Sequence, residues 1–150
     1  MKTFTGMLLA KAVLAGRVTL DTSVAQLLPD FKIPSRSGKE MTLGDLATHH
    51  SGLPREASGD YTAAKLKAFL AAYELTRDPG ASYEYSNVGI ALLGYALAQL
   101  EHTTYSALAD KDILHPLGMS RNRRQDLQAK LCPSTYPSAN SGRETCPETL

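Results

Sequence analysis

Tryptophan is absent from these 150 residues, cysteine occurs twice, and neither sign of charge is in real excess. Each shortage removes a class of function. A net charge of +1 gives no electrostatic reason to expect nucleic acid or an anionic membrane surface as a partner. Cys132 and Cys146 form no CxxC pair and have no neighbouring ligands, which excludes a zinc site. Each precedes a proline in a polar tail, where one disulfide and two free thiols both stay open. No window approaches the roughly 18 apolar residues that cross a bilayer. The GxSxG elbow, the glycine-rich phosphate loop and the HExxH zinc motif are all missing. His49 and His50 are adjacent, so on a helix they point in different directions and do not chelate one metal; they read as partly exposed helix-end residues. Nothing in the composition calls for a metal or another cofactor.

What is present is mostly helical patterning. A lysine ahead of an apolar stretch, in MKTFTGMLLAKAVLAG, invites comparison with a secretory signal, but Lys11 interrupts the apolar run. The same stretch is better read as a helix from Lys2 to Ala15. Phe4, Met7, Leu8, Ala12 and Ala15 fall at helical spacing, and Gly16 is a natural stop. A short turn of helix is expected over Ser23–Leu28 before Pro29, and a loop over Ile33–Lys39. Thr42 followed by Asp45 fits a capping box, with a short helix running to about His50. Leu66, Phe69, Leu70 and Tyr73 mark an amphipathic helix within Thr62–Leu75. Asn87 is placed to cap an apolar helix reaching Leu100, and Tyr105–Leu114 supplies another, stopped by Pro116 and Gly118. Strand patterns are almost absent, so the chain reads as mainly α. Beyond residue 119 the character changes. Arg121, Arg123 and Arg124 read as a solvated linker. The Pro-, Ser- and Thr-rich remainder has too few large apolar residues to offset its ordering entropy. The expected organisation is therefore one partial domain over 1–119 and a divergent, disordered tail over 120–150.

The run Pro79-Gly80-Ala81-Ser82-Tyr83-Glu84-Tyr85-Ser86-Asn87 stands apart. A turn delivers the chain into a short extended stretch just before a helix, so Tyr85 and Asn87 project to the same side. A phenol can relay a proton, and a carboxamide can hold both a cation and a substrate carbonyl. Alone, a Tyr-Ser-Asn triplet is a weak signal, and its neighbours decide its meaning.

Five segments in one order supply those neighbours. Lys2-Thr3-Phe4-Thr5-Gly6, followed by an apolar helix, resembles the segment after the nucleophile in the class C β-lactamase and D-alanyl-D-alanine carboxypeptidase family. Gly16 to Asp21 resembles that family's next link, and Leu46-Ala47-Thr48-His49-His50-Ser51-Gly52-Leu53-Pro54 its "LATHTSGLP" stretch. Pro79 to Asn87 matches its tyrosine-containing second motif. Ile113-Leu114-His115-Pro116-Leu117-Gly118-Met119 resembles the "I-x-x-PLGM" that closes its helical region. The Leu53-Pro54-Arg55-Glu56 run leans towards the AmpH-type branch, which handles both peptidoglycan peptides and β-lactams.

The resemblance implies a fold and a set of roles. The fold would be the helical region of an α+β serine β-lactamase/DD-transpeptidase-like domain, with the sheet largely missing. Lys2 would be the lysine one helical turn beyond a nucleophilic serine, on the same helix face. A free lysine is a poor base at neutral pH, so burial and the positive end of the helix dipole are expected around it. Tyr85 would relay the proton between the nucleophile and the leaving nitrogen, and Asn87 would fix Lys2 and the substrate's amide side chain. The implied partners are a β-lactam or a peptidoglycan stem peptide, and the implied compartment is the periplasm. Two departures accompany the match. The serine would lie two positions before Met1, and nothing in 120–150 resembles the third, Lys- or His-containing motif. Thr3 and Thr5 do not replace the serine, since neither lies on the required face. The expectation is thus a partial serine hydrolase, active through a serine acyl-enzyme when complete. The alternative is an inactive remnant acting as a binding or regulatory module. The helix at Lys2 is further expected to leave one apolar face uncovered, favouring self-association.

Overall fold

Most helices among the described residues begin where a hydroxyl side chain takes up a free backbone amide. The computed structural model describes residues 2–57 and 61–119. The expectations for 120–150, including the fate of Cys132 and Cys146 and of the arginine cluster, lie outside the described residues. Helix α1 spans Lys2–Leu14. Its end is a Schellman turn: Arg17 N–H donates to the Ala12 carbonyl at 3.0 Å and Gly16 N–H to that of Val13 at 2.9 Å. Gly16 sits there at φ +67°, where a side chain would strain the backbone. Ser23 caps the short α2, Val24–Leu27. At α3, Leu43–Ala47, the expected capping box is complete. Thr42 Oγ1 accepts from Asp45 N–H at 3.1 Å, and Asp45 Oδ2 accepts from Thr42 N–H at 3.0 Å. Thr62 caps α4, Ala63–Ala72, and Thr104 caps α6, Tyr105–Ala109.

Several boundaries differ from the sequence expectation, each for a local reason. The helix after Thr42 ends at Ala47, because the chain turns left-handed at His49, where φ is +63°. The segment expected to be helical over Tyr105–Leu114 changes pitch after Ala109. From Asp110 to Leu114 it forms a wider turn, closed by His115 N–H on the Asp110 carbonyl at 2.8 Å. Among the described residues there are no strands, only isolated bridges at Ser23–Thr42 and Arg36–Lys39.

The core gathers around α5, Asn87–Leu100, which touches α1, α2, α3 and α6. Val88, Leu92, Leu93, Ala96 and Leu97 of α5 are buried against Leu8, Leu9, Val24, Leu43, Leu46 and Leu53. Each such leucine contributes about 1.5–3 kcal/mol of burial. On α1 the buried row is Thr5, Leu8, Leu9 and Ala12. That shifts the expected face: Met7 and Ala15 lie outside it, and Met7 and Leu14 are 44 % and 88 % exposed. A helix apolar on two sides gives periodicity no single face to report.

Candidate active site

The 84–87 segment is placed by the loop that follows α3. Glu84 N–H donates to the His49 carbonyl at 2.8 Å, Ser86 N–H to His49 Nδ1 at 3.2 Å, and Asn87 N–H to the Arg55 carbonyl at 2.9 Å. Ser86 is fully buried. Its hydroxyl donates to the Pro54 carbonyl at 2.7 Å and accepts from Gly89 N–H at 2.8 Å. Ser86 is therefore the N-cap of α5, not Asn87 as the sequence suggested. The physical reason is reach: the short hydroxyl closes on the amide three residues ahead, and Asn87 becomes the first helical residue with its carboxamide left for other partners.

Those partners form the site. Lys2, on the first turn of α1, carries its ammonium 4.0 Å from the centroid of the Tyr85 ring. The Arg55 guanidinium lies 5.5 Å from the same centroid. An exposed cation on a tyrosine face is worth about 0.5–1 kcal/mol. Asn87 Nδ2 donates to Glu56 Oε1, and the Tyr61 hydroxyl donates to Glu56 Oε2 at 2.6 Å. The Tyr61 hydroxyl and then the Asn87 amide hold the Glu56 carboxyl below its ordinary range, so it stays ionised at neutral pH. Burial, then its bond to Glu56, pushes the Tyr61 phenol up. An open groove of about 350 Å³ runs from Lys2 and Asn87 past Tyr61 and Ala91 to Tyr95 and Tyr105.

Lys2, Tyr85 and Asn87, the three residues singled out in the sequence, are thus brought to one place. One expectation about them is corrected. Lys2 is exposed rather than buried: its ammonium lies over the Tyr85 ring at the edge of an open groove. Thr5 is buried, its hydroxyl bonded to that of Tyr105 at 2.9 Å, and Thr3 is exposed. His49, Glu56 and Tyr61 were not identified as site residues from sequence. His49 and Glu56 stand inside matched motifs, but only the fold shows that a left-handed turn carries them to Tyr85 and Asn87. Tyr61 has no sequence signal. Among the described residues no group of three or more His, Cys, Asp or Glu side chains lies together.

Over residues 1–124 the sequence matches the family described as Beta-lactamase. The chain belongs to this family. The D-alanyl-D-alanine-carboxypeptidase/endopeptidase AmpH of Escherichia coli K12 is 33 % identical over 128 residues, covering 79 % of this chain and 33 % of that protein. The beta-lactamase/D-alanine carboxypeptidase of Yersinia pestis superposes with a TM-score of 0.73 at 30 % identity, over 79 % of this chain and 37 % of that one. A class C beta-lactamase from Rhodobacter sphaeroides gives 0.65 at 35 % identity, over 78 % of this chain and 33 % of that one. The chain spans about a third of the length of these relatives. The described part corresponds to a helical portion of the serine β-lactamase fold.

Proposed function

We propose that this chain supplies the lysine, tyrosine and asparagine of a serine acyl-transfer site that acts, when complete, on β-lactams or D-Ala-D-Ala peptides. The observation that carries the reading is the Lys2 ammonium 4.0 Å from the Tyr85 ring centroid, with Asn87 two residues further on at the same groove. Tyr85 relays a proton between the attacking serine and the leaving nitrogen, with Lys2 beside it. Asn87, steadied by Glu56, offers its remaining amide groups to Lys2 and to the substrate's acyl-side carbonyl. A periplasmic setting, where such peptides occur, fits the activities for which AmpH and the Yersinia pestis enzyme are named. The rival reading, an inactive module that keeps a substrate-side surface, uses the same residues without a nucleophile.

Acylation separates the two. A fluorescent penicillin incubated with the 150-residue chain and run on a denaturing gel is expected to leave it unlabelled, since a triad without its nucleophile keeps little rate. Upstream coding sequence read in frame is expected to place a serine three residues before Lys2. The protein so extended and continued to its full length is expected to be labelled, with the rate falling about 100-fold or more in Tyr85→Phe. Absence of that serine, or labelling that Tyr85→Phe leaves unchanged, would overturn the proposal.

A further inference from the structure

His49 holds the segment around Tyr85 from both sides. Its carbonyl accepts the Glu84 N–H at 2.8 Å and its ring Nδ1 accepts the Ser86 N–H at 3.2 Å. Between those bonds lies Tyr85, whose ring packs on the imidazole with centroids 4.7 Å apart and planes at 37°. Tyr83 meets the same imidazole edge-on, centroids 5.9 Å apart. The residue doing this sits at φ +63°, a conformation that costs energy for a side chain with a Cβ and that recurs at functional sites.

We propose that His49 is a positioning residue for Tyr85: as a neutral acceptor it fixes the phenol beside the Lys2 amine, and on protonation it lets go. The assignment rests on reading Tyr85 as the proton relay, whereas the clamp itself is measurable without turnover. The chemistry follows from the ring's inventory. A neutral imidazole has one donor and one acceptor nitrogen, and an imidazolium has two donors. Because the Ser86 amide donates to Nδ1, the proton of the neutral ring sits on Nε2. A second proton would place an N–H against an N–H, and the bond to Ser86 would be lost. It would also add a positive charge close to Lys2, whose ammonium lies over the neighbouring Tyr85 ring.

The groups around the imidazole favour the neutral form. Lys2 from α1 and His50 next in the chain are the charged groups that do so; Arg55 lies across the Tyr85 ring, and the Tyr83 and Tyr85 rings flank the imidazole. The Glu84 carboxylate, one residue from Tyr85, pairs with Arg77 instead. Burial and then the Lys2 charge hold the imidazole below its usual 6.5.

The test uses the isotope-labelled 150-residue chain. Long-range proton–nitrogen spectra read the His49 tautomer and its titration, and hydrogen exchange reads the Ser86 amide. The expected result is a neutral ring protonated on Nε2, a midpoint below 6.5, and a Ser86 exchange rate that steps up about fivefold, over the ordinary pH trend, as one hydrogen bond is lost. His49→Asn keeps an acceptor close to the Nδ1 position, tolerates the left-handed backbone and does not titrate. It should preserve the Tyr85 ring shifts and abolish the step, whereas His49→Ala should lose both. A proton on Nδ1, a midpoint at or above 6.5, or a step that survives in His49→Asn would overturn the proposal. The wild-type tautomer and step decide the matter even where a variant fails to fold. An intact clamp in a full-length protein that penicillin never labels would overturn the acyl-transfer reading alone.

Discussion

At the scale of single residues, the site depends on which hydrogen-bond groups are already taken. Glu56 accepts from Asn87 Nδ2 and from Tyr61, so the Asn87 amide presents its oxygen and second N–H elsewhere. Removing that acceptor in Glu56→Ala should free the carboxamide. The expected signs are a change in the Asn87 side-chain amide resonances towards exposed values and faster exchange of those protons. Acid should do the same in the unmodified chain. The Tyr61 hydroxyl, then the Asn87 amide, depress the Glu56 carboxyl below 4.5, so the tie is present above that value and is lost only as pH falls through the lowered one. Resonances that titrate at or above 4.5, or that ignore Glu56→Ala, would contradict this. Lys2, Tyr85 and Asn87 were legible as site residues because they stand in motifs. Glu56's part was not, because a carboxylate in a loop declares no partner until the backbone brings one.

At the scale of elements, the helix starts decide the architecture. Ser86 joins two segments, capping α5 at Gly89 N–H and bonding the Pro54 carbonyl from a fully buried position. Ser86→Ala removes both bonds, taking the hydroxyl partner from the buried Gly89 N–H and from the part-buried Pro54 carbonyl. It is expected to destabilise the chain by about 1–3 kcal/mol in urea unfolding, and to loosen the 49–56 loop more than α1. A change within about 0.5 kcal/mol would show that the junction is held otherwise. The helices themselves were readable from sequence: the Thr42 capping box, the Gly16 stop, the Leu66–Leu70 face of α4 and the long apolar α5 all fall where spacing put them. Three features escaped. The cap of α5 went to Asn87 because Ser and Asn both cap well, and only the Pro54 contact favours Ser86. The wider turn after Ala109 leaves no mark in periodicity. The buried row of α1 is hidden from periodicity because apolar residues surround that helix.

At the scale of the whole chain, two consequences follow. Met7 and Leu14 lie on one side of α1 and remain exposed. Apolar surface of this kind favours association, so sedimentation is expected to show concentration-dependent self-association that Met7→Lys with Leu14→Lys reduces. A wild-type chain that stays monomeric at high concentration would contradict this. Stability should also fall in mild acid. His49 is depressed by burial and by Lys2, so between 6.5 and its lowered value the unfolded chain holds a proton that the folded chain refuses. Urea midpoints should therefore drop as pH falls through that window, and less so in His49→Asn. The central claim, that the Lys2 amine at the start of α1 lies on the Tyr85 ring beside the groove it shares with Asn87, has its own direct measurement. In the labelled chain, nuclear Overhauser contacts should connect the Lys2 ε-methylene to the Tyr85 ring protons, with the methylene shifted upfield by the ring. Absence of those contacts in a folded sample, with the Lys2 signals at random-coil positions, would contradict the account.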